Sequence, residues 1–187
     1  MKMLASEYMR GIKETLDKMS FDGLEEMMHL MLEAYENERS IFVMGNGGSG
    51  STAAHFACDL NKGVSFGLEK RFKAICLNDN VPVMLAYAND VSYSDVFVEQ
   101  LKNFLKEDDV VIGLSGSGNS LNVLKAIDYA NAKGAKTVGL SGFDGGKLAL
   151  IVGLPLVVES HDMQKVEDIH LIMTHVIMQF LRKWLYP

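Results

Sequence analysis

Five times along the chain a short apolar run stops at a loop rich in polar residues or glycine, and most of these loops lead into helical periodicity. Ser40-Ile-Phe-Val-Met44 ends in Gly45-Asn-Gly-Gly-Ser-Gly50, followed by a helical pattern from Ser51 to about Asn61. Phe72-Lys-Ala-Ile-Cys-Leu77 ends in Asn78-Asp79-Asn80. Val110-Val-Ile-Gly-Leu114 ends in Ser115-Gly-Ser-Gly-Asn-Ser120, with a helix through Ala132. Thr137-Val-Gly-Leu140 ends in Ser141-Gly-Phe-Asp-Gly-Gly146, Leu154-Pro-Leu-Val-Val158 is the fifth run, and a closing helix spans about Met163 to Leu185. Strands that are apolar on both faces and alternate with helices belong to a parallel sheet covered on both sides. The expected fold is therefore α/β, a three-layer α/β/α sandwich with a five-stranded parallel sheet. Ligands of such sheets bind beyond the carboxyl ends of the strands.

Ahead of the first strand, Leu4, Tyr8, Ile12, Leu16 and Met19 fall at helical spacing, and Phe21-Asp22-Gly23 interrupts them. Leu24, Met27, Met28, Leu30, Met31, Leu32 and Tyr35 resume the pattern. This helical pair (1–38) cannot bury its stripes alone and is expected to pack on the rest of a single domain (1–187) or on a neighbouring subunit. A length of 187 residues with 48% apolar content excludes a disordered chain. A net charge of −6 argues against nucleic-acid binding, which rests on a basic face. Backbone amides can still hold a phosphate without net positive charge. Cys58 and Cys76 form no CxxC pair and read as thiols of a reducing cytoplasm. The longest apolar stretch, Leu148 to Val158, is broken by Gly153 and Pro155 and is too short to span a membrane. Lys2, Glu7, Arg10 and Lys13 speak against a secretory leader.

Two loops carry the chemistry. Gly45-Asn-Gly-Gly-Ser-Gly50 matches GxGxxG after a strand, but a dinucleotide site needs an acidic residue ~20 positions on that closes the second strand, and the match there is loose. Asp79, the only acidic residue at the close of the second strand, lies 29 residues beyond Gly50. The same loop can serve as a phosphate or sugar cradle, with Asn46, Gly47 and Gly48 offering amides and Ser49 a hydroxyl. Ser115-Gly116-Ser117-Gly-Asn-Ser120 places three hydroxyls at a helix mouth, more than an N-cap requires, and reads as a phosphate site. No GxxxxGK[ST] motif is present, which excludes a P-loop nucleotidase.

Gly45-Asn-Gly-Gly-Ser49 with His55-Phe-Ala-Cys-Asp59, the Ser115–Ser120 loop, and a late helix carrying His170 and His175 together resemble the SIS-domain sedoheptulose-7-phosphate isomerase (phosphoheptose isomerase) family. The resemblance implies a flavodoxin-type strand order, one Zn2+ per active site, and a cytoplasmic homotetramer with active sites at subunit interfaces. It places the metal ligands on His55, Asp59, Glu167 and His175. It places substrate contacts on Asn46, Gly47, Gly48, Ser49, Asn89, Asp90, Ser115, Gly116, Ser117, Ser120 and Glu167. The family usually has Glu where this chain has Asp59, and Gln where it has Glu167.

His55 and Asp59, four apart, share one helix face at a spacing suited to one metal. Glu167 and His175 are eight apart, ~12 Å along a helix, so one ion joins them only outside a regular helix or between subunits. His170 reads as a core or interface histidine. The expected reaction converts sedoheptulose 7-phosphate to D-glycero-D-manno-heptose 7-phosphate through a cis-enediol, with Asp59 as base and His175 as its acid partner. The alternatives are a phosphosugar-binding regulatory or protein-interaction module on the same fold, or an isomerase of a different phosphosugar.

Overall fold

The computed structural model describes residues 2–186. Five parallel strands, β1 (Ser40–Gly45), β2 (Lys73–Cys76), β3 (Val110–Ser115), β4 (Lys136–Gly142) and β5 (Leu154–Val158), form one sheet in the order β2-β1-β3-β4-β5. This is the expected flavodoxin-type order, with the direction of strand addition reversing between β1 and β3. Register pairs Val43 with Ile112 and Gly45 with Leu114, so the two loops read from the sequence leave the same sheet edge side by side.

Helices α1 (Lys2–Leu16), α2 (Asp22–Glu36), α3 (Gly47–Cys58) and α8 (Met163–Leu185) contrast with α4 (Val81–Asp90), α5 (Val98–Phe104), α6 (Leu121–Ala132) and α7 (Gly146–Ile151) in where they pack. Period-two alternation within each strand sorts the core. Ile41, Val43, Ile112, Leu114, Val138 and Leu140 meet Leu24 and Met31 of α2, Phe56 of α3 and Ile177 of α8. Phe42, Met44 and Val111 point the other way, toward Val98 of α5, Ile127 of α6 and Leu148 of α7. Each of these fully buried aliphatic or aromatic chains contributes ~1.5–3 kcal/mol over its exposed state.

The helical pair at the N-terminus contacts the rest of the chain, α1 against α8 and α2 against α8 and β5. Tyr8 Oη donates to Asp168 Oδ2 (2.6 Å) and fixes α1 to α8. Two local readings change, and one segment without a sequence-based reading gains structure. β2 lies at an edge and alternates exposed and buried, with Lys73 and Ile75 outward. Helix α3 begins at Gly47, so the glycines after Asn46 form its first turn instead of a loop. Helices α4 and α5 fill residues 81–104, a segment whose sequence shows no clear stripe. α4 carries no buried residue.

Candidate active site

α3 ends in a short π-helical turn, Asp59–Val64, in which Ser65 N–H reaches back to the Leu60 carbonyl. Such turns often accompany function because they break the α-helical ladder and re-aim the side chains at their start. His55 sits one α-turn before Asp59, and His175 arrives from the middle of α8. Their reactive atoms converge. His55 Nε2 lies 3.0 Å from His175 Nε2 and 3.4 Å from Asp59 Oδ2, and His175 Nε2 lies 3.9 Å from the same oxygen. Asp59 Oδ2 is buried and makes no hydrogen bond.

A buried carboxylate oxygen without a donor costs free energy unless a cation completes it. Two imidazoles facing nitrogen to nitrogen can share one proton, or both can turn lone pairs toward a metal. Ligand atoms ~2.0–2.2 Å from a tetrahedral ion lie roughly 3.3–3.5 Å apart, close to the three separations seen here. Among the described residues these three form a group able to hold an ion. Three protein ligands with a fourth position open is the pattern of a catalytic zinc site.

Glu167 stands outside that group. It lies two turns before His175 on the regular helix α8, and its carboxylate rests on Gly48, where any Cβ would collide with both oxygens. A side chain at Gly48 would displace the end of Glu167 from the first turn of α3. A carboxylate on the first turn of α3 neutralises the positive end of the helix. It would also repel a pyrophosphate from the place a dinucleotide occupies after GxGxxG, so the geometry favours the sugar-cradle reading of this loop. Gly47 has φ +52° and open space around it, and Ser49 is buried, its backbone against Gly45.

The second loop gathers three hydroxyls at the start of α6. Ser115 Oγ donates to Ser120 Oγ (2.9 Å), and Ser117 Oγ accepts from Asn119 N–H (3.2 Å). The Ser120 hydroxyl makes no cap bond to α6, so the Ser117 and Ser120 protons remain to be given to a ligand. Gly116 packs under Met163, and Gly118 (φ +65°) passes directly over the Gly145 carbonyl. Asn46, at the mouth of the crevice between the loops, exchanges two hydrogen bonds with Asn122 and accepts a third from Tyr93 Oη.

Asn89 and Asp90 are not brought to this crevice by any contact within the chain. They end α4, are exposed, and bond each other (Asn89 Nδ2 to Asp90 Oδ1, 2.7 Å). His170 is buried, its Nε2 3.1 Å from the Ser141 carbonyl and its Nδ1 unpartnered. Burial pushes its pKa from 6.5 down to about 4, against the pull of the Ser141 bond. Between those values an unfolded chain takes up a proton that the native state refuses, so stability falls as pH drops from 6.5 toward 4. Urea unfolding at pH 7 and pH 4.5 should show the wild type losing roughly 2–3 kcal/mol more than His170→Gln. Equal losses would contradict a neutral buried imidazole.

Sequence reasoning missed Asn122 and Tyr93. Asn122 carried a readable signal, a polar residue among the apolar Leu121, Val123 and Leu124, and it is buried here. Tyr93 carried none, since its role depends on where α4 ends.

Residues 7–142 match the family model described as the SIS domain. The chain is 41% identical to a phosphoheptose isomerase of Helicobacter pylori over 170 residues, 88% of this chain and 87% of that one. It is 34% identical to one from Geobacter sulfurreducens over 179 residues, 95% and 94% of the two chains. The structure of phosphoheptose isomerase from Neisseria gonorrhoeae superposes with TM-score 0.88 at 26% identity, covering 97% of this chain and 98% of that one. A parallel sheet with these two loops at its switch point, and agreement with these relatives over nearly the whole length, have one reading: the chain belongs to the phosphoheptose isomerases of the SIS-domain family.

Proposed function

We propose that the protein is an aldose–ketose isomerase that converts sedoheptulose 7-phosphate to D-glycero-D-manno-heptose 7-phosphate. The observation that carries this reading is the meeting of Asp59, His55 and His175 beside two ligand-cradling loops. A phosphosugar-binding scaffold has no need of that triad, whereas the isomerisation needs a base and an acid side by side. The phosphate is held by the Ser117 and Ser120 hydroxyls with the Gly116 amide, and buried Ser115 orients Ser120 by donating to it, giving binding energy remote from the reacting carbons. Asn46, Gly47 and Gly48 face the sugar chain with Ser49 buried behind them, and the Glu167 carboxylate accepts from a sugar hydroxyl.

Asp59 Oδ2 takes the proton from C1 of the ketose, leaving a cis-enediol, and returns a proton to C2. His175 Nε2 moves the proton from O1 to O2, completing the exchange of carbonyl and hydroxyl. His55, Asp59 and His175 would also hold Zn2+; with His175 Nε2 then given to the metal, the ion would polarise the substrate oxygens as a Lewis acid in place of the imidazole's proton transfer. Asp59 is one methylene shorter than the family's usual Glu, and its oxygen still reaches both imidazoles.

Asn89 and Asp90 come to the crevice, in this reading, from a neighbouring copy in a homotetramer. In support, α4 has no buried residue and leaves Val81, Leu85 and Val91 exposed, and α1 exposes Met3, Leu4 and Met9. No helix among the described residues is long and apolar enough to cross a membrane, and both cysteines are free, which fits a reducing cytoplasm. Incubation of the purified protein with sedoheptulose 7-phosphate, followed by NMR, tests the function. An aldehyde-derived anomeric signal should grow in. Its absence, with a phosphosugar still bound, would favour the regulatory module.

A further inference from the structure

We infer that Tyr93 is a positioning residue that locks the Asn46 amide as a one-sided hydrogen-bond donor, and that Lys125 holds Tyr93 in place. The inference rests on the isomerase reading and adds to it a specificity device. The lock starts from a backbone group whose polarity is fixed. Val123 N–H donates to Asn122 Oδ1 (3.0 Å), so the oxygen of that amide lies toward α6's first turn. The same oxygen accepts from Asn46 Nδ2 (2.9 Å), which turns the Asn46 nitrogen toward Asn122. Asn46 Oδ1 then accepts from Asn122 Nδ2 (2.9 Å) and from Tyr93 Oη (2.8 Å).

Both lone pairs of Asn46 Oδ1 are used, and one of its two N–H groups is used. A single donor remains. Asn46 can therefore meet a substrate only at an acceptor, a carbonyl or hydroxyl oxygen, and never as an acceptor itself. Without Tyr93 one lone pair of the Asn46 amide oxygen is free, so the side chain can also accept from a substrate hydroxyl and its one-sidedness is lost.

Tyr93 is exposed and belongs to a 3-10 turn, Tyr93–Asp95, with no buried residue to hold it. Polar contacts hold it instead. Lys125 Nζ reaches Ser94 Oγ (2.8 Å) and both Asp95 oxygens (2.9 and 3.1 Å), and Ser94 N–H donates to Ser92 Oγ (3.1 Å). The Lys125 ammonium also holds the Asp95 carboxyl below its ordinary pKa. Asn122 and Lys125 are three apart on α6, so one helix face anchors both ends of the lock.

Steady-state kinetics with sedoheptulose 7-phosphate, with inorganic phosphate as competitive inhibitor, test this on the full-length enzyme. Tyr93→Phe keeps the ring and removes only the hydroxyl. It should raise KM ~3–10-fold with a smaller change in kcat, and leave the Ki of inorganic phosphate unchanged, because phosphate sits on the Ser115–Ser120 loop. Lys125→Met should act in the same direction, and the double variant should be no worse than Tyr93→Phe alone. An unchanged KM in Tyr93→Phe, or an equal rise in the phosphate Ki, overturns the positioning role while wild-type turnover leaves the isomerase reading standing. Additive effects in the double variant overturn the part assigned to Lys125. No turnover by the wild type removes the isomerase reading itself.

Discussion

Asp59→Asn should lower kcat by ~10²–10⁴-fold and leave phosphosugar affinity within a few-fold of wild type. Asparagine keeps the shape of the side chain, and its amide oxygen can still face His55 and His175. It cannot take a proton from carbon. The phosphate loop lies on β3 and α6, elements that do not carry Asp59, so ground-state binding is insulated from the change. Calorimetric titration with the phosphosugar beside a turnover assay separates the two effects. Retained turnover would show that another group removes the C1 proton. A parallel loss of affinity and turnover would show that Asp59 organises the site more than it reacts.

Gly118→Ala is the second large effect, and it acts on the other half of the site. Gly118 has φ +65°, a conformation costing a non-glycine residue ~1–2 kcal/mol. Its Cα also passes over the Gly145 carbonyl, backbone that cannot swing aside as a flexible side chain would. Gly118 itself accepts from Leu148 N–H (2.9 Å), so the Ser115–Ser120 loop and the start of α7 must move together. The expected cost is ~2–4 kcal/mol of folding stability, with phosphosugar affinity weakened ~100-fold as the hydroxyls lose their convergence. Urea unfolding and calorimetry on the same preparation check both numbers. A variant of wild-type stability and affinity would mean that this loop is neither tightly built nor the phosphate cradle.

Much of the architecture is legible because the physical signals are strong and local. Strands buried on both faces must be apolar throughout, and Ile41 to Met44 and Val110 to Leu114 announce themselves accordingly. The closing helix is readable from its stripe of Val166, Ile169, Met173 and Ile177, all buried. The pairing of His55 with Asp59 follows from their spacing alone.

The remaining features depend on partners distant in sequence. Glycine is read as a helix breaker, yet Gly48 sits in the first turn of α3 with the Glu167 carboxylate lying over it. The destination of Glu167 is likewise unreadable: spacing on α8 separates it from His175, but only the packing of α8 on α3 says what it meets instead. α4 lacks a buried face within the chain, so no periodicity marks it. The Asn46 lock needs α6, β1 and the Tyr93 turn assembled before it exists. Local pattern thus gives the elements and two of the three reactive groups at their proper spacing, and tertiary packing brings in His175.

The central claim is that a carboxylate and an imidazole exchange protons with carbon and oxygen on a bound ketose phosphate. Wild-type enzyme supplied with sedoheptulose 7-phosphate in D2O, with the product read by proton and deuterium NMR, tests it directly. Deuterium at C2 of the aldose is the expected outcome, because the proton carried by Asp59 exchanges with solvent before it is returned. An aldose that carries no deuterium, formed at an undiminished rate by the Asp59→Asn variant as well, would mean that hydrogen crosses from C1 to C2 without visiting that carboxylate, and the roles given to Asp59 and His175 would be wrong.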